Sequence, residues 1–332
     1  MSTVRANQIL DAAGGNTATI NGMTPTAQSL QGFRNRIING NMVIDQRNNG
    51  ASVTIGNAGN LVFTLDRWAA YCDQNSKFSV QQSTTAPTGF INSLFVTSLS
   101  AYSVGSSEVF GLQQTIEGFN VADLGWGTAN AQTITLSFQV RSSLTGTFGG
   151  ALRNDANNRS YPFSFTINSA NTFETKTITI AGDTSGTWLT NNNAGIRLWI
   201  SLGAGATFSG TAGAWAAANS VQPTGSVSVV GTNGATFYIT GVQLEAGSVA
   251  TPFERRDYGR ELIMCQRYYQ GQRCTFQSTA ILAFARPVVM RAAPSASWAG
   301  TIGTVFEMNP DSFVITQNGT GNGLSGLFSA EL

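Results

Sequence analysis

Apolar and polar residues alternate with a period of two over much of the chain. Ile134, Leu136, Phe138 and Val140 alternate with Thr133, Thr135, Ser137 and Gln139. The same rhythm recurs at Phe163, Phe165 and Ile167, at Ile178 and Ile180, and at Ile196, Leu198, Ile200 and Leu202. Alternation of this kind predicts strands with one buried and one wet face. Turn formers separate the runs: Gly149-Gly150, the Asn-rich stretch 153–158, Asp183 to Gly186, Asn191 to Asn193, and Asn233-Gly234. Many short strands between turn clusters predict an all-β protein, an antiparallel jelly-roll sandwich over residues 33–252. Within Phe237 to Leu244 the phase flips between Ile239 and Val242. A bulge at Thr240-Gly241 keeps all the apolar residues facing inward, because glycine permits the kink. The alternative is a strand buried on both faces.

The texture changes at residues 253–272. Tyr258, Leu262, Cys265 and Tyr269 fall at helical spacing, framed by Pro252 and Gly271. This predicts one linking helix of about three turns near 257–270, too short to stand alone in water. It reads as a joint and as an oligomer interface: the stripe Tyr258, Leu262, Cys265 and Tyr269 packs inward, and Arg256, Arg260 or Arg267 pairs with acids of the same or a neighbouring chain. Glu254, Asp257 and Glu261 are the expected partners of the arginines at 34, 36, 47, 255 and 256. Residues 273–332 are again β-like and predict a small C-terminal β domain, marginal by itself. Residues 1–32 are weakly apolar and predict a short N-terminal segment that folds only against a partner.

Composition narrows the chemistry. Only 11% of the 332 residues are charged, while Ser, Thr and Asn number 31, 38 and 27. There is no His, so Ser-His-Asp and Cys-His nucleophile systems and His-bearing zinc sites cannot be built. The net charge is +1, with two Lys, which argues against nucleic acid as a partner. Three Cys without a CxxC suggest no disulfide framework. No apolar run is long enough to span a bilayer, so no membrane insertion is expected. The start of the chain lacks a charged then apolar leader, which predicts synthesis in a cytoplasm. No calcium loop, phosphate loop or dinucleotide fingerprint occurs, so no metal or cofactor is expected. The acids Asp66, Asp73, Glu108, Glu117, Asp123 and Glu245 show no pairing that marks a glycosidase, and no catalytic residue is assigned.

Aromatic residues are the better lead. Trp199 has the polar parity of its strand, Trp126 and Trp215 sit in glycine- and alanine-rich loops, and Tyr238 has the parity opposite Phe237. An open aromatic ring can stack on a sugar while neighbouring amides and arginines fix its orientation. Trp199, Trp126, Trp215 and Tyr238 are therefore the candidate glycan-stacking residues. Burial under loops or against another subunit is the competing role.

Several short segments also carry a family likeness. The run Arg34 to Met42 (RNRIINGNM), followed by Asp45-Gln-Arg47 and Asp66-Arg-Trp68, resembles the opening of bacteriophage tail-fibre and virion appendage proteins. Gly241 to Gly247 (GVQLEAG), Ala250 to Arg256 (ATPFERR) and Cys265 to Tyr269 (CQRYY) carry the more specific resemblance. Met290 to Pro294 and the final Ser329 to Leu332 look like the tip of such proteins. The resemblance implies a non-enzymatic virion fibre, usually a homotrimer, with a sandwich similar to carbohydrate-binding modules. It implies three partners: other copies of the chain, a phage tail or virion protein held by residues 1–32, and host cell-surface polysaccharide. It implies location in the virion and transfers no catalytic or ligand residues. Two other roles stay open: a purely structural head fibre, decoration or adaptor protein, and a glycan-cleaving enzyme.

Overall fold

The computed structural model describes residues 33–274, 281–299, 305–316 and 324–332. The expected N-terminal attachment segment, 1–32, lies outside them. The chain runs through β1 (Val53–Thr54), β2 (Leu61–Phe63), β3 (Ala69–Cys72), β4 (Phe78–Ser83), β5 (Ser93–Ser98) and β6 (Val109–Glu117). It continues through β7 (Ile134–Ser142), β8 (Gly146–Arg153), β9 (Ser160–Ile167), β10 (Glu174–Ile180) and β11 (Ala194–Ala204). Two dipeptide strands follow, β12 (Ser209–Gly210) and β13 (Gln222–Pro223), then β14 (Thr236–Ala246). Twelve of these strands make two six-stranded antiparallel sheets, ordered β1-β4-β5-β14-β7-β10 and β2-β3-β6-β11-β8-β9. This is the jelly-roll sandwich that the alternation predicts.

The inward parity fills the core. Ile134, Leu136, Phe138 and Val140 of β7 face Phe163, Phe165 and Ile167 of β9 and Ile196, Leu198, Ile200 and Leu202 of β11 in one continuous cluster. Each such side chain contributes roughly 1.5–3 kcal/mol over leaving it in water. The β14 register slips between Thr240 and Gln243, and Gly241 adopts φ +61°. Phe237, Ile239, Val242 and Leu244 are all fully buried. The bulge resolves the phase flip.

One end of the sandwich is closed by a polar joint. Residues 33–44 form no strand. They wedge between the sheets through Arg36 N–H to the Leu244 carbonyl (2.8 Å) and Ile38 N–H to Gln114 Oε1 (3.0 Å). Asn39, buried at φ 57°, donates to the carbonyls of Ile44 and Asp66, while Trp68 Nε1 donates back to its carbonyl. Asp66 accepts from the Gln46 backbone (2.7 Å) and side chain (2.6 Å).

The helix α1 (Tyr258–Gln266) docks on this joint. Asp257 caps it by accepting from Arg260 N–H at 3.0 Å. It ends sooner than the spacing predicts because β15 (Tyr269–Cys274) begins there, paired to β20 (Leu324–Ser329). Strand pairing outcompetes the helical spacing. The inward face also differs. Tyr258 points to solvent, 62% exposed, and Leu262 is half-buried, while Glu261, Cys265 and Tyr268 are buried. Tyr269 is buried too, but on β15. Arg256 pairs with Glu254 (3.5 Å) and Glu261 (3.4 Å), as expected. Arg267 pairs with Glu117 (2.6 Å), Arg36 with Asp123 (2.5 Å), and Arg47 with Glu331 (2.9 Å), partners that spacing did not indicate.

The remaining strands are β16 (Ile281–Ala285), β17 (Ser295–Ala299), β18 (Val305–Met308) and β19 (Ser312–Thr316). They form two three-stranded sheets, β15-β20-β17 and β16-β19-β18. The chain's last residues return to the joint, where Glu331 is an ion partner of both Arg47 and Arg67.

Candidate functional site

The outer face of the β2-β3-β6-β11-β8-β9 sheet carries the most unusual chemistry. Parity puts Trp199 of β11 on this face, opposite Gln113 of β6 and Ala151 of β8. Gly111 leaves room for it. A Cβ at Gly111 would stand 2.4 Å from the indole, so the ring lies against the sheet only because that side chain is missing. The segment 205–223 then folds back over the face. Gly149 allows this, since a Cβ there would meet Pro223 Cδ at 2.3 Å. Phe208 and Val221 pack on Trp199, which is only 2% exposed. The expectation of an open ring at Trp199 is therefore corrected. Strand parity indicates the face but says nothing of a loop that crosses it.

What remains open is a cleft of about 290 Å³, near the lower end of ligand pockets at roughly 300–1,000 Å³. Leu61, half-buried Tyr71 and Asp73 line one side, Arg153, Asn157 and Arg197 another, and Phe208, Asn219 and Val221 the loop wall. Tyr71 meets Trp199 edge to face, with ring centroids 5.9 Å apart. Asp73 accepts from the Tyr71 hydroxyl (2.9 Å) and from Val109 N–H (2.7 Å). Burial and this carboxylate push the Tyr71 phenol up to about 12, so it stays protonated as a donor.

Arg153 closes the floor. It ends β8, and the next turn is fixed by buried Asn154, whose Oδ1 accepts from the N–H groups of Asn158 and Arg159 (3.1 Å each). The Arg153 guanidinium donates to Asn219 Oδ1 (2.8 Å) and Gln113 Oε1 (3.2 Å), and lies 5.1 Å from the Trp199 ring centre. Its neighbour Arg197 is paired with Asp155 at 2.5 Å. Burial first, then Arg197, pull the Arg153 pKa down to about 10. Trp199 Nε1 is buried without an acceptor. Each other tryptophan with a described side chain has one.

The other predicted aromatics lie elsewhere. Trp126 and Trp215 join Trp188 in a mutual edge-to-face triangle, with centroids 4.8–5.4 Å apart. Their indoles donate to the carbonyls of Gln132, Ala181 and Ser185, respectively for Trp126, Trp215 and Trp188. The triangle packs on the core, as a structural cluster would. Tyr238 sits on the opposite outer face of the sandwich, stacked on Phe95 at 4.3 Å. Arg141 lies 5.0 Å from Tyr238 and 5.9 Å from Phe173, completing a half-buried row across β5, β14, β7 and the segment before β10. The four predicted rings are thus divided among three places.

Sequence reasoning missed Tyr71, Gln113, Arg153 and Asn219. Tyr71 had a readable signal, since it has the outward parity of β3 beside Asp66-Arg-Trp68. Asn219 had none, because its loop is placed by tertiary packing. Among the described residues no three His, Cys, Asp or Glu side chains gather as a metal site, and no helix is long and apolar enough to cross a membrane.

No protein-family model and no curated protein sequence matches the chain. Solved structures resemble it at low identity. One is a putative sugar-binding protein from Bacteroides thetaiotaomicron, 13% identical, with 64% of this chain and 100% of that one covered and a TM-score of 0.36. Another is the enzymatically active domain of tailspike protein 4 of bacteriophage CBA120, 12% identical, with a TM-score of 0.35; it covers 65% of this chain, which spans only 22% of the tailspike chain. A third is a carbohydrate-binding module, CBM4, 15% identical, with 63% and 98% covered and a TM-score of 0.32.

Proposed function

We propose that this chain is a bacteriophage virion appendage, a tail fibre or receptor-binding protein, that binds host surface glycan without cleaving it. The cleft carries the reading. Half-buried Tyr71 edges against Trp199 and is ringed by Asp73, Gln113, Arg153, Asn157 and Asn219. An aromatic wall with convergent amide, carboxylate and guanidinium groups is the chemistry that orients a sugar ring. Among the described residues Asp73 is the one carboxylate lining it, so they assemble no facing pair of the kind a glycosidase uses. The virion assignment rests on the sequence resemblance, as do mounting through residues 1–32 and assembly as a homotrimer. The exposed helix residues Tyr258 and Ile263 (62% and 56% exposed) are available to a neighbouring copy.

The test is a bacterial polysaccharide array probed with the purified chain. Wild type should bind a subset of glycans, and Tyr71→Ala should weaken that binding by about tenfold while leaving the melting temperature within a few degrees. Absence of any glycan binding by folded wild type would reject the reading. It would leave the structural-component role, which the row Phe95, Tyr238, Arg141 and Phe173 favours as a protein-contact face on the other sheet.

A further inference from the structure

Arg153 is a buried cation without a counter-charge. It is 7% exposed, and among the described residues no carboxylate pairs with it. Two of its five N–H donors reach neutral amide oxygens, Asn219 Oδ1 and Gln113 Oε1. The nearest like charge, Arg197, already has Asp155. The one acid among the described residues of the cleft, Asp73, is occupied by Tyr71 and Val109. The Trp199 ring 5.1 Å away offsets part of the charge but supplies no anion. Trp199 Nε1, in the same lining, is a second donor without an acceptor.

A buried, unpaired guanidinium is costly and is normally paired. Here two strands and a loop hold it in a cleft, with the strand end pinned by Asn154. We propose that the cleft selects an anionic glycan, with the acidic substituent of the sugar meeting Arg153. The inference rests on the glycan reading above and adds the ligand's charge. A planar guanidinium matches carboxylate and sulfate alike in a charge-assisted, two-point contact. The depressed basicity of Arg153 agrees, since an incoming anion restores what burial removes.

The experiment compares matched oligosaccharides of the same linkage and length: a uronate oligomer, its carboxyl-reduced neutral form, and the neutral form carrying sulfate. Titration calorimetry on the wild-type chain should show at least one anionic form binding about tenfold tighter than the neutral one. Which anionic form wins names the source of the charge. Added salt should weaken the anionic arm and spare the neutral arm. Arg153→Gln should erase the difference, whereas Arg141→Gln, on the opposite face of the sandwich, should retain it. Equal binding of neutral and anionic forms overturns the charge assignment and leaves glycan binding intact. A preference that survives in folded Arg153→Gln overturns the role of Arg153. Failure of every oligosaccharide and of the polysaccharide array overturns the glycan reading and this inference with it. The wild-type comparison decides the ligand's charge even if Arg153→Gln does not fold.

Discussion

Arg67 and Arg153 are almost equally hidden, 2% and 7% exposed, and both lie over an aromatic ring. Arg67 stands 3.5 Å from the Tyr268 ring centre, in the joint where residues 33–47, α1 and the last residues of the chain meet. It bonds the Thr115 carbonyl and the Glu331 carboxylate. Arg153 stands 5.1 Å from Trp199 in the cleft and has amides only. Burial depresses both guanidinium groups, yet Glu331 leaves Arg67 above its ordinary value while Arg153 sits near 10. The difference is one carboxylate. In the joint the chain supplies counter-charges to four arginines: Glu331 for Arg47 and Arg67, Glu117 for Arg267, Glu254 and Glu261 for Arg256, while Arg291 there is held by carbonyls. In the cleft Asp155 serves Arg197, and Arg153 is left without one. Local rules broken inside an otherwise consistent fold mark places where function sets the residue.

The largest effect expected from this contrast is at Glu331. Glu331→Gln removes the counter-charge of two arginines with side chains 14% and 2% exposed. Breaking a buried pair from one side costs about 3–5 kcal/mol. Urea unfolding followed by tryptophan fluorescence should show a midpoint far below that of wild type. An unchanged midpoint would mean that the joint's ion pairs are ornamental, and the contrast with Arg153 would lose its meaning.

The sandwich was readable because its signal is local. Parity alone places Ile134 to Val140 and Ile196 to Leu202 inward, and the Gly241 kink was visible as a phase flip. The joint was readable only as resemblance. RNRIINGNM, DRW, CQRYY and SAEL look unrelated along the chain, and folding brings them into one polar knot around Asn39, Asp66, Arg67 and Glu331. Its ion pairs, such as Arg67 with Glu331, span most of the sequence, so no spacing rule reaches them. α1 misled for a related reason. Its spacing suggested an apolar stripe, but the joint offers the Asn39 N–H, and buried Glu261 takes it. The cleft was least legible. Trp199 was indicated by parity, while its cover of Phe208 and Val221, and the donors Arg153 and Tyr71, are assembled by tertiary packing.

The intermediate effect runs the other way. The folded Arg153 pKa, about 10, lies below that of an arginine in the unfolded chain. The folded state therefore binds fewer protons between those values, and stability rises with pH across them. The contribution is complete above the unfolded value and is lost as pH falls through about 10. At pH 7 the charged group is a net cost to the unliganded fold. Arg153→Gln should therefore raise stability, by about 1–3 kcal/mol, with the gain shrinking as pH rises past 10. A variant that melts below wild type at pH 7 would show that the bonds to Asn219 and Gln113 outweigh the charge, and that Arg153 is a staple.

The smallest effect compares two buried indoles. Trp68 in the joint is 0% exposed and donates to the Asn39 carbonyl at 3.1 Å; Trp199 in the cleft is 2% exposed and donates to nothing. Replacing each by Phe removes a similar ring volume, so the cavity costs should largely cancel in the difference. Trp68→Phe also removes one of two hydrogen bonds to the Asn39 carbonyl, which keeps the Met42 N–H at 3.1 Å, and that loss adds about 1 kcal/mol. Thermal unfolding should place Trp68→Phe below Trp199→Phe by that margin. Ligand binding should reverse the order: Trp199→Phe shrinks the ring that backs Tyr71 and Arg153, so glycan should bind a few-fold more weakly, while Trp68→Phe leaves affinity unchanged. If both variants bind and melt alike, Trp199 Nε1 is a plain packing defect and Arg153 alone distinguishes the cleft.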